Sequence, residues 1–157
     1  MTSNKPVRGS TTLVSETRFR AHGRVDMWMQ DNALLYEATG PFNEEVVELL
    51  AVAQMDFLKT LTIEGPWVSI CTIKTSAMCT PAGLQRYTEL MESPKPADLT
   101  PVATAFVIGP EIEGGRIMAP YFANVYAAIN RPFKTFDTMA AAQEWGQSMV
   151  AANRQNT

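Results

Sequence analysis

Two short runs constrain this chain more than any other feature. Trp67–Ile73 (WVSICTI) and Val102–Ile108 (VATAFVI) are apolar on both faces of an extended backbone. Side chains alternate across a strand, so an uninterrupted apolar run is stable only where both faces of the sheet are covered. Gly65-Pro66 precedes the first run and Gly109-Pro110 closes the second. Each is followed by residues at helical spacing. Strands of this kind alternating with helices are the inner, parallel strands of an α/β sheet.

The remaining pattern completes that layout. Val25, Met27 and Met29 alternate with Arg24, Asp26 and Trp28, the period of a strand. Asp31-Asn32 forms a turn, and Ala33–Thr39 returns as the second arm of an antiparallel hairpin. Gly40-Pro41 breaks the chain, and Asn43 then caps a helix whose apolar positions Val46, Leu49, Leu50, Ala53 and Phe57 run to Leu58. Thr80-Pro81 opens a second helix, with Thr as the cap and Pro at the first helical position. Leu84, Tyr87, Leu90 and Met91 form its buried side, and Ser93-Pro94-Lys95-Pro96 ends it. Glu111–Ile129 is helical in pattern but contains Gly114, Gly115 and Pro120, which predicts either a kink at Pro120 or two short helices. Phe133–Phe136 is a short last strand. Asp137 is expected to cap a final helix with Ala141, Trp145 and Met149 facing inward. The expected fold is α/β: a small mixed sheet of four to five strands, with an initial hairpin and parallel inner strands, flanked by helices. Residues 1–18 read as a flexible leader, 19–152 as a single domain and 153–157 as a frayed tail.

Composition narrows the function classes. Apolar residues make up 46% of the 157, enough for a core of ordinary size. The 13 Lys and Arg against 16 Asp and Glu give a net charge of −3, against the basic excess of a nucleic-acid binder. No run reaches the roughly 18 apolar residues of a membrane span. The N-terminal stretch lacks a signal-peptide core. The expected location is the cytoplasm, with Cys71 and Cys79 as reduced thiols.

No catalytic constellation stands out. The only histidine, His22, has no nucleophile and carboxylate placed beside it. Two cysteines eight positions apart do not make a metal site, and no metal or cofactor is expected. The glycine-rich GPEIEGGR (Gly109–Arg116) matches no phosphate-binding fingerprint and carries two glutamates. Two segments remain as candidates. The first is KTSAMCTPAG (Lys74–Gly83), which joins the carboxyl end of an inner strand to a helix N-terminus, where ligands and anions tend to bind in open α/β sheets. Its candidate switch or anion-binding residues are Lys74, Thr75, Ser76, Cys79 and Thr80. The second is the stripe Met118, Tyr121, Phe122 and Tyr126, a candidate apolar pocket or interface.

The layout resembles the SpoIIAA-like family of STAS/SEC14-type small domains. The resemblance spans roughly Val25 to Met149. It rests on the hairpin, on YEATGPFNEEVVELL (Tyr36–Leu50), on the strand-then-helix centre and on PFKTFDTMAAAQEW (Pro132–Trp145). It implies a mixed sheet of four or five strands and no enzymatic activity. STAS relatives act as phosphorylation-controlled protein-binding switches, and SEC14-type relatives bind lipids or other apolar ligands. The STAS switch opens its helix with an Asp-Ser-Ser-Gly-Leu-type motif. Here Thr80-Pro81-Ala82-Gly83-Leu84 keeps Gly83 and Leu84 but puts Pro81 and Ala82 at the serine positions, leaving Thr80 or Ser76 as substitutes.

Three functions follow as expectations. The first is a non-enzymatic regulatory or protein-binding module, whose partner is another protein or a second copy in a homodimer, the commonest oligomer. The alternative is a carrier or sensor of a small apolar or lipid-like ligand. The third is an enzyme using Cys79 or a carboxylate.

Overall fold

A computed structural model describes residues 6–13 and 20–154. Residues 1–5 and 14–18 of the expected leader and 155–157 of the expected tail lie outside that range. Among the described residues are six strands and four α-helices: β1 Arg8–Ser10, β2 Arg24–Gln30, β3 Ala33–Thr39, α1 Glu44–Leu58, β4 Val68–Lys74, α2 Pro81–Glu92, β5 Ala103–Val107, α3 Gly115–Ala128, β6 Phe133–Phe136 and α4 Met139–Arg154. The strands form one mixed sheet in sequence order. β1, β2 and β3 pair antiparallel, and β3 to β6 pair parallel.

The sheet therefore has six strands, where four to five were expected. The additional strand, β1, falls in the stretch read as leader. Three polar residues carry no alternation to read; tertiary contacts hold them. Gly9 lies so close to β2 and α1 that a Cβ there would stand 3.0 Å from Met27 and 3.1 Å from Phe57. The Arg8 guanidinium sits 4.7 Å from the centre of the Trp28 ring, a cation–π distance.

Helices cover both faces unequally. On one face α1, α2 and α3 bury Leu50, Phe57, Met91, Phe122 and Tyr126 against Val25, Met27, Leu34 and Phe106. On the other, among the described residues, α4 buries Ala142 and Val150 against Leu35, Val68, Ile70 and Ala105. That arrangement makes β4 and β5 apolar on both sides.

The helix starts follow local chemistry. The Asn43 side-chain oxygen accepts from the Val46 amide at 3.1 Å and the His22 amide at 2.9 Å, while its amide donates to the Arg20 carbonyl at 3.0 Å. Thr80 accepts from the Gly83 amide at 3.0 Å, with Pro81 at the first position of α2.

Three local expectations are corrected. The Glu111–Ile129 segment holds one helix, α3, beginning at Gly115 with Pro120 inside it. Pro120 removes the bond to the Arg116 carbonyl, but both residues lie on the exposed side, where water can serve that oxygen. Residues before Gly115 are drawn out of the helix because Glu113 pairs instead with the loop after β4, its carbonyl accepting from the Ala77 amide at 2.8 Å. At α4, Thr138 rather than Asp137 provides the cap, accepting from the Ala141 amide at 3.3 Å. Its buried stripe is Ala142, Gly146 and Val150, one position on from the expected one, with Trp145 and Met149 flanking it. Gly146 lets α4 approach β4, where a Cβ would stand 3.1 Å from Val68.

Candidate functional site

The parallel register lines up Tyr36, Cys71 and Phe106 in one row across β3, β4 and β5. Beside it lie the small residues Ala38, Ser69 and Thr104, on the same face. Small side chains in mid-sheet leave space beneath the three helices. The result is a cavity of ≈ 110 Å³ between this face and α1, α2 and α3. Leu50 of α1, Leu84 and Met91 of α2 and Phe122 of α3 make its apolar walls.

A few polar groups interrupt this lining. The Tyr36 hydroxyl donates to Gln54 Oε1 at 3.1 Å. The hydroxyls of Tyr87 and Tyr126 share a short hydrogen bond, with their rings edge to face at 6.4 Å between centroids. Ser69 and Thr104 pair through their hydroxyls at 2.7 Å. Aromatic contacts fix the position of Tyr126, which stacks on Phe133 at 4.8 Å and meets Phe106 edge-on at 5.9 Å.

One cation, Lys95, lines the cavity, and a second, Arg131, lies outside the lining beside Tyr126 and Thr104. Lys95 is half-buried, its ammonium donating to the Leu90 carbonyl at 2.8 Å and the Ser93 carbonyl at 3.3 Å. Arg131 lies over the Tyr126 ring at 5.6 Å and reaches Thr104 Oγ1 at 3.5 Å. Among the described residues neither has a carboxylate partner.

Burial sets the protonation states. It pushes the hydroxyls of Tyr36, Tyr87 and Tyr126 above their ordinary value, keeping all three neutral. The same desolvation raises the Cys71 thiol to about 12 and the Cys79 thiol to about 11. Lys95 moves the other way, lowered first by burial and then by the charge of Arg131.

Of the loop candidates, only Cys79 reaches the cavity. Lys74 is exposed and pairs with Glu37. Thr75 takes a left-handed φ of 68°, and its carbonyl accepts from the Glu113 amide at 3.3 Å. Ser76 is 2% exposed; its hydroxyl donates to Glu113 Oε1 at 2.8 Å and accepts from the Met78 amide at 3.2 Å. The Thr80 oxygen is committed to capping α2. The loop is thus a structural clasp: Ser76 bridges to Glu113, and its own backbone packs against Gly40, where a Cβ would stand 2.0 Å from the Ser76 carbonyl oxygen.

The α3 stripe divides. Phe122 and Tyr126 line the cavity, Met118 is buried in the core beside it, and Tyr121 faces outward, 52% exposed. Tyr36, Gln54, Lys95 and Arg131 were not singled out from sequence, and Tyr87 was read only as part of a buried helix side. His22 is exposed and uses only its backbone amide in the Asn43 contact. Among the described residues no group of three or more His, Cys, Asp or Glu is placed to hold a metal ion, and no helix is long and apolar enough to cross a membrane.

Comparison with family models, with curated proteins and with solved structures finds no match.

Proposed function

We propose that this chain is a cytoplasmic, non-enzymatic carrier or sensor of a small apolar ligand, held between the sheet and α1, α2 and α3. The observation that carries this reading is the cavity itself: ≈ 110 Å³, walled mainly by aliphatic and aromatic side chains, with a few polar groups, among them the hydroxyls of Tyr36, Tyr87 and Tyr126. Concave apolar sites with a small number of placed polar groups are the usual form of a ligand pocket. The size class is that of apolar cavities of about 150 Å³ that accept benzene, so the buried part of the ligand is about one ring. A whole phospholipid does not fit such a space. The resemblance to the SpoIIAA-like family supports the same reading through its SEC14-type relatives, which bind apolar ligands.

Reactive chemistry has little support. Thiols raised by burial are poor nucleophiles near neutral pH, since the thiolate is the reacting form. A phosphoswitch at Ser76 would set a phosphate against the Glu113 carboxylate in a buried site.

A protein-binding role rests on a different observation. Ile117 and Tyr121, one turn apart on α3, are 63% and 52% exposed. A homodimer through this face is its simplest form.

The test of the carrier reading is mass spectrometry of untagged protein under native and then denaturing conditions. A stoichiometric mass excess present only in the native spectrum is the expected result. A clean apo mass, together with no uptake of toluene or indole, would refute it.

A further inference from the structure

The cavity has a chemical polarity that size alone does not express. The charged groups at its polar end are donors only, and the neutral ones there are hydroxyls that can donate as well as accept. Tyr87 and Tyr126 have two hydroxyl hydrogens between them and share one bond, so one hydrogen has no acceptor among the described residues. Lys95 has three N–H groups and gives two to the Leu90 and Ser93 carbonyls. Arg131 has five and makes one side-chain hydrogen bond among the described residues, a long one to Thr104. The hydroxyl of Tyr36 is spent on Gln54. Facing these donors, the described residues supply no carboxylate.

Two half-buried cations near one another with no anion between them are unfavourable as they stand. Each loses hydration, and they repel. Lys95 registers both effects, since burial and the charge of Arg131 lower its pKa. An anion at this end would relieve both. It would also accept the spare tyrosine hydrogen as a charge-assisted bond, stronger than a neutral one. Resting on the ligand-binding reading above, we propose that the ligand is a compact apolar monocarboxylate. Its ring or short chain occupies the space under α1, α2 and α3, and its carboxylate sits between Lys95, Arg131 and the Tyr87–Tyr126 hydroxyl pair.

The test uses the full chain and three probes of one shape: toluene, benzoate and benzylammonium. Calorimetry at neutral pH and low salt is expected to show benzoate binding at least tenfold tighter than toluene, with no binding of benzylammonium. Added salt should weaken benzoate and leave toluene unchanged, because only the former interaction is screened. Arg131→Gln and Lys95→Gln should each bring benzoate to within about threefold of toluene measured on the same variant. If toluene binds as tightly as benzoate, or if benzylammonium binds, the carboxylate proposal falls while the apolar cavity reading stands. If none of the three binds, both fall. The probe series on the unmodified chain decides these outcomes even where a variant does not fold.

Discussion

Tyr87 on α2 and Tyr126 on α3 meet through their hydroxyls above the centre of the sheet, closing the polar side of the cavity. They are 39 residues apart in the chain, and the contact ties two helices that otherwise touch little. Among the described residues each hydroxyl is the other's only side-chain hydrogen-bond partner.

Removing one hydroxyl strands the other. Tyr87→Phe or Tyr126→Phe should cost roughly 1–3 kcal/mol in urea denaturation, the penalty for a buried polar group left unpaired. The double variant replaces the pair with apolar rings and should cost less than the sum of the two single changes. Additive losses would show that the hydroxyls act independently.

The Lys74–Thr80 loop should tolerate negative charge at one hydroxyl and not at the other. Thr80→Asp keeps a good N-cap and should leave stability within about 0.5 kcal/mol, whereas Thr80→Ala should lose about 1 kcal/mol. Ser76→Asp presses a second carboxylate on Glu113 in a buried site, and its melting temperature should fall further than that of Thr80→Ala. A Ser76→Asp protein as stable as the parent would reopen Ser76 as a phosphorylation site.

Alkaline pH should unfold this protein early. The folded-state pKa values of Cys71 and Cys79 are raised from an ordinary 9.0 to about 12 and about 11, and those of Tyr36, Tyr87 and Tyr126 are raised as well. A raised value means the folded state keeps protons that the unfolded chain releases. The stabilisation is therefore complete below pH 9 and is lost as pH rises through the folded values. Lys95 has the opposite sign, one group against five. The urea midpoint should hold from pH 6 to 8 and drop steeply above 9. Replacing both cysteines with alanine should move the onset of that drop toward pH 10, where the tyrosines begin. A midpoint flat to pH 11 would contradict the burial of these groups.

Local signals in the sequence were sufficient for part of the fold. Asn43, Thr80 and Pro81 mark helix starts by backbone chemistry that needs no tertiary context, and β4 and β5 declare themselves by being apolar on both faces. β1 could not be read, because Arg8-Gly9-Ser10 is a strand only through contact with Trp28, Met27 and Phe57. The one-residue shift of the α4 stripe comes from Gly146, whose missing side chain, invisible to an apolar pattern, is what brings the helix onto β4. The candidate site was legible only in fragments. Phe122 and Tyr126 stood out as an aromatic stripe, and Tyr87 lay on a recognisable inward face. Their meeting with Tyr36 depends on strand register, and Lys95 and Arg131 sit in proline-flanked connections whose path follows from the whole fold.

The central claim is that the space under α1, α2 and α3 takes a small apolar ligand. Titrating toluene into isotopically labelled protein and following backbone amide shifts by NMR tests it most directly. The account predicts saturable shifts at Ala38, Cys71, Leu84 and Phe106, which surround the cavity, with Ala142 and Val150 on the opposite face unmoved. Shifts that never saturate, or that concentrate on α4, would contradict it.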